Sequence, residues 1–153
     1  MRAQVEARKL LKYLDVLELP ISLTALCERL GIIIKYDALT ALDGYFIRNP
    51  ENKKVLIVVN DNVNLLRQRF SVAHEMGHLN LHRGILGFSG GPVSGTICRN
   101  KIVEAEANYF ASELLMPKFL LQNCGYMSAE KIADYCQVSL PAAKIRAEHM
   151  GWA

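Results

Sequence analysis

At 153 residues, with 51% hydrophobic and 22% charged residues, the chain has the composition of one globular domain able to bury its own core. No run approaches the roughly 20 apolar residues of a bilayer span, and a net charge of +3 falls short of the strongly basic footprint of a dedicated nucleic-acid binder. Charges are scattered from Arg2 to Lys9, where a secretory signal needs an apolar block, so a cytoplasmic protein is expected. Cys27, Cys98, Cys124 and Cys136 are widely spaced with no C-x-x-C pair. They read as small buried residues of a reducing compartment rather than as a disulfide framework.

Val5, Leu10, Leu11, Leu14, Leu17 and Leu19 recur mostly at helical spacing over residues 3–18, and Pro20 stops the pattern. Ser22 offers an N-cap for a second helix carrying Leu23, Leu26 and Leu30, with Gly31 as its stop. Residues 1–31 therefore read as N-terminal helices. Three β-type runs follow within 32–59, at Ile32 to Tyr36, Leu42 to Ile47 and Val55 to Val59. The turn chemistry of Asn49-Pro50-Glu51-Asn52-Lys53 joins the last two as a hairpin, so the expected sheet is small and antiparallel. An edge strand of such a sheet can hold an extended chain by main-chain hydrogen bonds; which strand lies at the edge is left open.

Asn60, Asp61 and Asn62 offer caps for a helix spanning about 62–83, with Leu65, Leu66, Phe70, Ala73, Leu79 and Leu81 as its apolar positions. It contains His74-Glu75-Met76-Gly77-His78. Residues four apart share a helix face at about 6 Å, so His74 and His78 can aim at one ion. A neutral imidazole suits zinc, and a carboxylate beside the metal, here Glu75, can take a proton from water. Gly77 costs about 1 kcal/mol of helix propensity relative to alanine, which points to a steric reason such as close approach of another backbone. Residues 84–100 carry five of the ten glycines and Pro92, a long loop that reads equally as a lid over the site or as an insertion without a role. Helical pattern resumes near Asn100 and runs to Pro117, followed by further helices at Ser128 to Cys136 and Ser139 to Met150. The predicted fold over 1–153 is a single α+β domain: a small antiparallel sheet packed against a helical bundle that carries the H-E-x-x-H helix.

Two histidines do not close a catalytic zinc site, which usually takes three protein ligands. His82 continues the four-residue spacing, but it stands about 12 Å along the helix from His74, too far for both rings to hold one ion. It reads instead as a helix-end residue favourable to the dipole. Glu104 and Glu106 on the next helix lie about 200° apart around its axis, so at most one faces the motif. Asn108 sits one turn after Glu104 on the same face, where its oxygen can accept a ligand histidine's free N–H. Glu104 is therefore the expected third ligand and Glu106 the alternative; the plain competing reading makes both solvated helix charges.

Arg69-Phe70-Ser71-Val72-Ala73-His74-Glu75-Met76-Gly77-His78, Leu81-His82, Glu104-Ala105-Glu106-Ala107-Asn108-Tyr109-Phe110-Ala111 and Leu114-Leu115-Met116-Pro117 together resemble the ImmA/IrrE family of zinc metallopeptidases. The likeness extends over nearly the whole chain. It implies a zincin-like fold, a Zn2+ centre with His74, His78 and Glu104 as ligands, Glu75 as catalytic base, and Asn108 as the residue orienting a ligand histidine. It also implies a protein substrate, typically a helix-turn-helix repressor of a mobile element or stress response. No membrane partner and no direct nucleic-acid binding are expected. Tyr45, Tyr109 and Tyr126 are available as oxyanion donors, though each reads as well as a packing residue.

Two rival readings remain. Ser128 to Arg146 reads as helix, short turn, helix, with Lys144, Arg146 and His149 offering a DNA-recognition face; the plain version is that both helices cover the core. The other keeps the fold without catalysis, as a repressor-binding or antitoxin module.

Overall fold

The computed structural model describes residues 1–82 and 101–152; the Gly-rich stretch 84–100, with Cys98, lies outside them. The described elements are α1 (Arg2–Tyr13), α2 (Leu23–Arg29), β1 (Ile32–Asp37), β2 (Gly44–Arg48), β3 (Val55–Asn60), α3 (Leu65–Leu81), α4 (Lys101–Leu115), α5 (Lys118–Cys124), α6 (Ala129–Cys136) and α7 (Leu140–His149). The fold is α+β, a three-stranded sheet beside a helical bundle.

Helix α1 buries Ala3, Ala7 and Leu11 and ends at Tyr13, five residues short of the expected 18. Asp15 adopts a left-handed φ of 57°, which no continuing helix tolerates. Leu14 stays buried beyond the helix end, where its carbonyl accepts from Arg29, whereas Leu17 is 73% exposed. Past Tyr13 the apolar residues pack without a helix: Val16 and Leu19 also lie against the core. Helix α2 starts as expected, with the Ser22 hydroxyl accepting from the Ala25 N–H at 3.2 Å, and Gly31 (φ 70°) makes the left-handed turn into β1.

In the sheet, β3 lies between β1 and β2. The hairpin is antiparallel, pairing Gly44 with Val59 and Arg48 with Val55. The expectation of an all-antiparallel sheet fails at β1, which runs parallel to β3 from Ile32↔Val55 to Asp37↔Asn60. The chain reverses once into β2 and again into β3, so β3 regains the direction of β1 and then inserts between its two partners. Central placement explains the apolar run of β3, where Ile57, Val58 and Val59 are all buried. Among the described residues it leaves β1 and β2 at the two edges.

The cap of α3 is Asn64, whose Oδ1 accepts from the Arg67 N–H at 2.9 Å, not one of residues 60–62. Asn60 is buried and otherwise engaged. Its amide donates to the carbonyls of Leu39 and Leu42, and its oxygen accepts from the N–H groups of Leu39 and Asn62. It thereby fixes the segment between β1 and β2 that borders the site. Arg69 ties α3 to its surroundings, donating to the carbonyls of Ile21, Cys136 and Gln137; its burial lowers its affinity for a proton.

Helix α3 packs directly on α4. A β-carbon on Gly77 would lie 3.1 Å from both the Cα and the carbonyl oxygen of Ala107 and 3.2 Å from the Phe110 Cβ, which is the close backbone approach anticipated for this glycine. Beneath the helices sits an ionic knot that sequence reasoning did not find. The fully buried Glu113 carboxylate meets Arg8 of α1 at 3.0 Å and Arg146 of α7 at 2.6 Å, and accepts the Lys118 N–H at the start of α5. Arg146 also donates to the Met116 carbonyl.

Candidate metal centre

One face of α3 carries His74 and His78, one turn apart, while Val72, Ala73 and Met76 turn into the core. The close seating of α4 over Gly77 brings Glu104, in the first turn of α4, against both imidazoles. His74 Nε2 lies 2.8 Å from one Glu104 carboxylate oxygen, His78 Nε2 lies 3.3 Å from the other, and the two ε nitrogens are 3.1 Å apart. One ligand atom from each of the three residues falls within 4.8 Å of the others, the only such group among the described residues.

Tetrahedral zinc with bonds of about 2.0–2.1 Å spaces its donors by about 3.3 Å. The observed separations fit that spacing. Two ring nitrogens turned toward each other and toward a carboxylate present three lone pairs to one point, an arrangement that a shared cation accounts for. Two imidazoles and a carboxylate form a donor set of the zinc type.

Asn108, one turn after Glu104, places its Oδ1 2.8 Å from His74 Nδ1. Since an amide oxygen only accepts, His74 carries its proton on Nδ1 and leaves Nε2 free. Glu75 is 3% exposed and lines a cleft of about 480 Å³ together with His74, Glu104, Asn108, Phe70, Ser71 and the segment Ala41 to Gly44. The start of β2 thus borders the cleft lined by two of the three clustered residues, His74 and Glu104.

Glu106 does not join the cluster. Its carboxylate lies 2.8 Å from His82 Nε2, and His82 Nδ1 lies 3.0 Å from His78 Nδ1. His82 does end α3, but it is 2% exposed, and its ring contacts the nitrogen of His78 that faces away from Glu104. The i, i+4 spacing of His78 and His82 was the available signal, but neither this contact nor the partner on α4 was read from it. Tyr45, Tyr109 and Tyr126 do not line the cleft. Tyr126 packs edge-on to Trp152, with ring centroids 6.0 Å apart.

The basic face considered above for the C-terminal helices lacks Arg146. Lys144 and His149 are exposed, but Arg146 is buried against Glu113, out of reach of any phosphate. No described helix is long and apolar enough to cross a membrane.

Residues 27–148 match the family model Peptidase_M78, described as the IrrE N-terminal-like domain. Metallopeptidase ImmA of Bacillus subtilis (strain 168) is 32% identical over 117 residues, spanning 74% of this chain and 67% of that protein. Uncharacterized immunity region protein 2 of Bacillus phage phi105 is 34% identical over 92 residues, spanning 60% of this chain and 54% of that one. A solved transcriptional regulator of Mycobacterium tuberculosis shares the fold with a TM-score of 0.65 at 13% identity, covering 95% of this chain and 46% of its own.

Proposed function

Because the chain belongs to the ImmA/IrrE family of metallopeptidases, we propose that it is a zinc-dependent endopeptidase acting in the cytoplasm on a helix-turn-helix repressor. The carrying observation is the convergence of His74 Nε2, His78 Nε2 and the Glu104 carboxylate beside the buried Glu75.

His74, His78 and Glu104 hold the metal in this reading, and Glu106 is not a ligand. A zinc ion held there supplies Lewis-acid polarisation of a peptide carbonyl and makes water more acidic. Glu75 is the general base: its carboxylate takes the proton from the attacking water and returns it to the leaving amine. Asn108 keeps His74 in the tautomer whose ε nitrogen is free. The β2 edge, entering the cleft at Asp43 and Gly44, offers backbone groups along which an extended substrate segment can lie before the bond is cut. The repressor as substrate is supported by the family and by the phage relative, whose name places that protein in an immunity region.

The test is metal analysis of the purified protein, followed by incubation with the repressor encoded beside its gene. About one zinc per chain and cleavage at a defined site are expected. Glu75→Gln should keep the metal and lose cleavage by at least about 100-fold. Absence of zinc, or wild-type cleavage by Glu75→Gln, overturns the reading.

A further inference from the structure

The two ligand histidines turn their ε nitrogens toward each other, so each δ nitrogen is left to a different partner. His74 has the Asn108 amide oxygen. His78 has a second imidazole: its Nδ1 lies 3.0 Å from His82 Nδ1, and His82 Nε2 lies 2.8 Å from the Glu106 carboxylate. We propose that His82 and Glu106 are positioning residues, a two-residue relay that holds His78 with its Nε2 lone pair aimed at the metal. This rests on the zinc centre proposed above.

The proton order follows from the chain of partners. The Glu106 carboxylate only accepts, so His82 carries its proton on Nε2. A neutral imidazole has one N–H, so His82 Nδ1 accepts. The proton between the two rings then belongs to His78 Nδ1, and His78 Nε2 presents its lone pair toward His74 Nε2 and Glu104. Each bond dictates the direction of the next. Burial makes the order binding: the side chain of His78 is 0% and that of His82 2% exposed, so water cannot substitute for a missing partner. One turn of α3 thus links Glu106 to the centre through two rings, while Glu104, two residues earlier on α4, meets it directly. Partners of this outer kind typically change metal affinity by about 10–100-fold when removed.

The experiment measures zinc affinity of the full chain by competition with a chromogenic chelator, and the visible absorption of the Co2+-loaded protein, for wild type, His82→Phe, His82→Gln, Glu106→Gln and Glu104→Gln. His82→Phe keeps a ring in place but offers no acceptor, and should weaken zinc by about 10–100-fold and shift the Co2+ bands. His82→Gln restores an acceptor oxygen and should recover most of that loss. Glu106→Gln keeps an acceptor without the charge and should cost only a few-fold, whereas Glu104→Gln should cost far more. Wild-type affinity in His82→Phe, or equal losses in His82→Phe and His82→Gln, overturns the relay. Loss of zinc by Glu106→Gln as complete as that by Glu104→Gln overturns it too, by making Glu106 a ligand. Failure of the wild type to bind zinc removes the centre itself, and the relay with it.

Discussion

The Cα of Gly77 rests against Ala107 so closely that one added methyl group at position 77 would stand 3.1 Å from the Ala107 backbone. That contact sets how far α4 stands from α3, and with it the reach of Glu104 to both histidines. Gly77→Ala gains about 1 kcal/mol of helix propensity, but the atoms it meets are backbone and can give way only by moving a helix, an overpacking cost of about 1–3 kcal/mol. A modest net loss is expected in urea unfolding of the metal-free protein. The loss in zinc affinity should be larger in proportion, because the displaced element carries Glu104, the proposed third ligand. An unchanged affinity would show that the contact does not set the site.

Asn108 is exposed, so Asn108→Ala should leave the unfolding free energy within about 0.5 kcal/mol. It also removes the acceptor of the His74 Nδ1 proton, so zinc affinity should fall by about 10-fold or more. Chelator competition, read beside a thermal melt of the metal-free form, separates the two effects. A stability loss without an affinity loss would contradict the role given to Asn108.

Glu113→Gln should destabilise the fold by about 3–5 kcal/mol, because it leaves Arg146 buried without its counter-charge. Removing both charges, as Glu113→Leu with Arg146→Met, should cost much less than either single change. A double-mutant cycle by urea denaturation checks this, and additive losses would show that the pair is not coupled.

The same carboxylate makes an acid-side prediction. Burial alone would raise its pKa, but the charge of Arg146 and hydrogen bonds from Arg8, the Lys118 N–H and Arg146 outweigh it and hold it below the ordinary value of 4.5. A depressed folded value means that the stabilisation is fully present above about pH 4.5 and is lost as pH falls through the folded pKa. In metal-free protein, wild type should lose stability relative to Glu113→Gln only below about pH 4.5. A gap that closes nearer neutrality would point to a different group.

Thiol reactivity offers an independent check on the packing. Burial raises Cys27 to about 11 and Cys136 to about 12, whereas Cys124 is exposed. Alkylation of the native protein at pH 8 followed by peptide mass spectrometry should mark Cys124 and spare the other two, and early labelling of Cys27 or Cys136 would contradict the closed core.

Local features were legible in the sequence because their causes are local. The Ser22 cap, the Gly31 turn, the helical placement of His74 and His78, and the pairing of Glu104 with Asn108 all follow from spacings of three or four residues. Gly77 was legible as an anomaly, since its cost demanded a neighbour. What escaped depended on partners far apart in the chain. Glu113 finds Arg146 33 residues away and Arg8 105 residues away, and no periodicity links them. The parallel pairing of β1 with β3 depends on which strand takes the middle, a tertiary choice. Periodicity also overran α1, because it cannot register the left-handed turn at Asp15.

The Asn108 and His82 contacts have a further consequence for the two imidazoles. One is backed by an amide oxygen and the other by a second ring that in turn meets a carboxylate, so two rings of identical composition are held by unlike partners. His74, which lines the cleft and leans on the exposed Asn108, is the ring with room to reorient, whereas His78 is fixed by a partner as buried as itself.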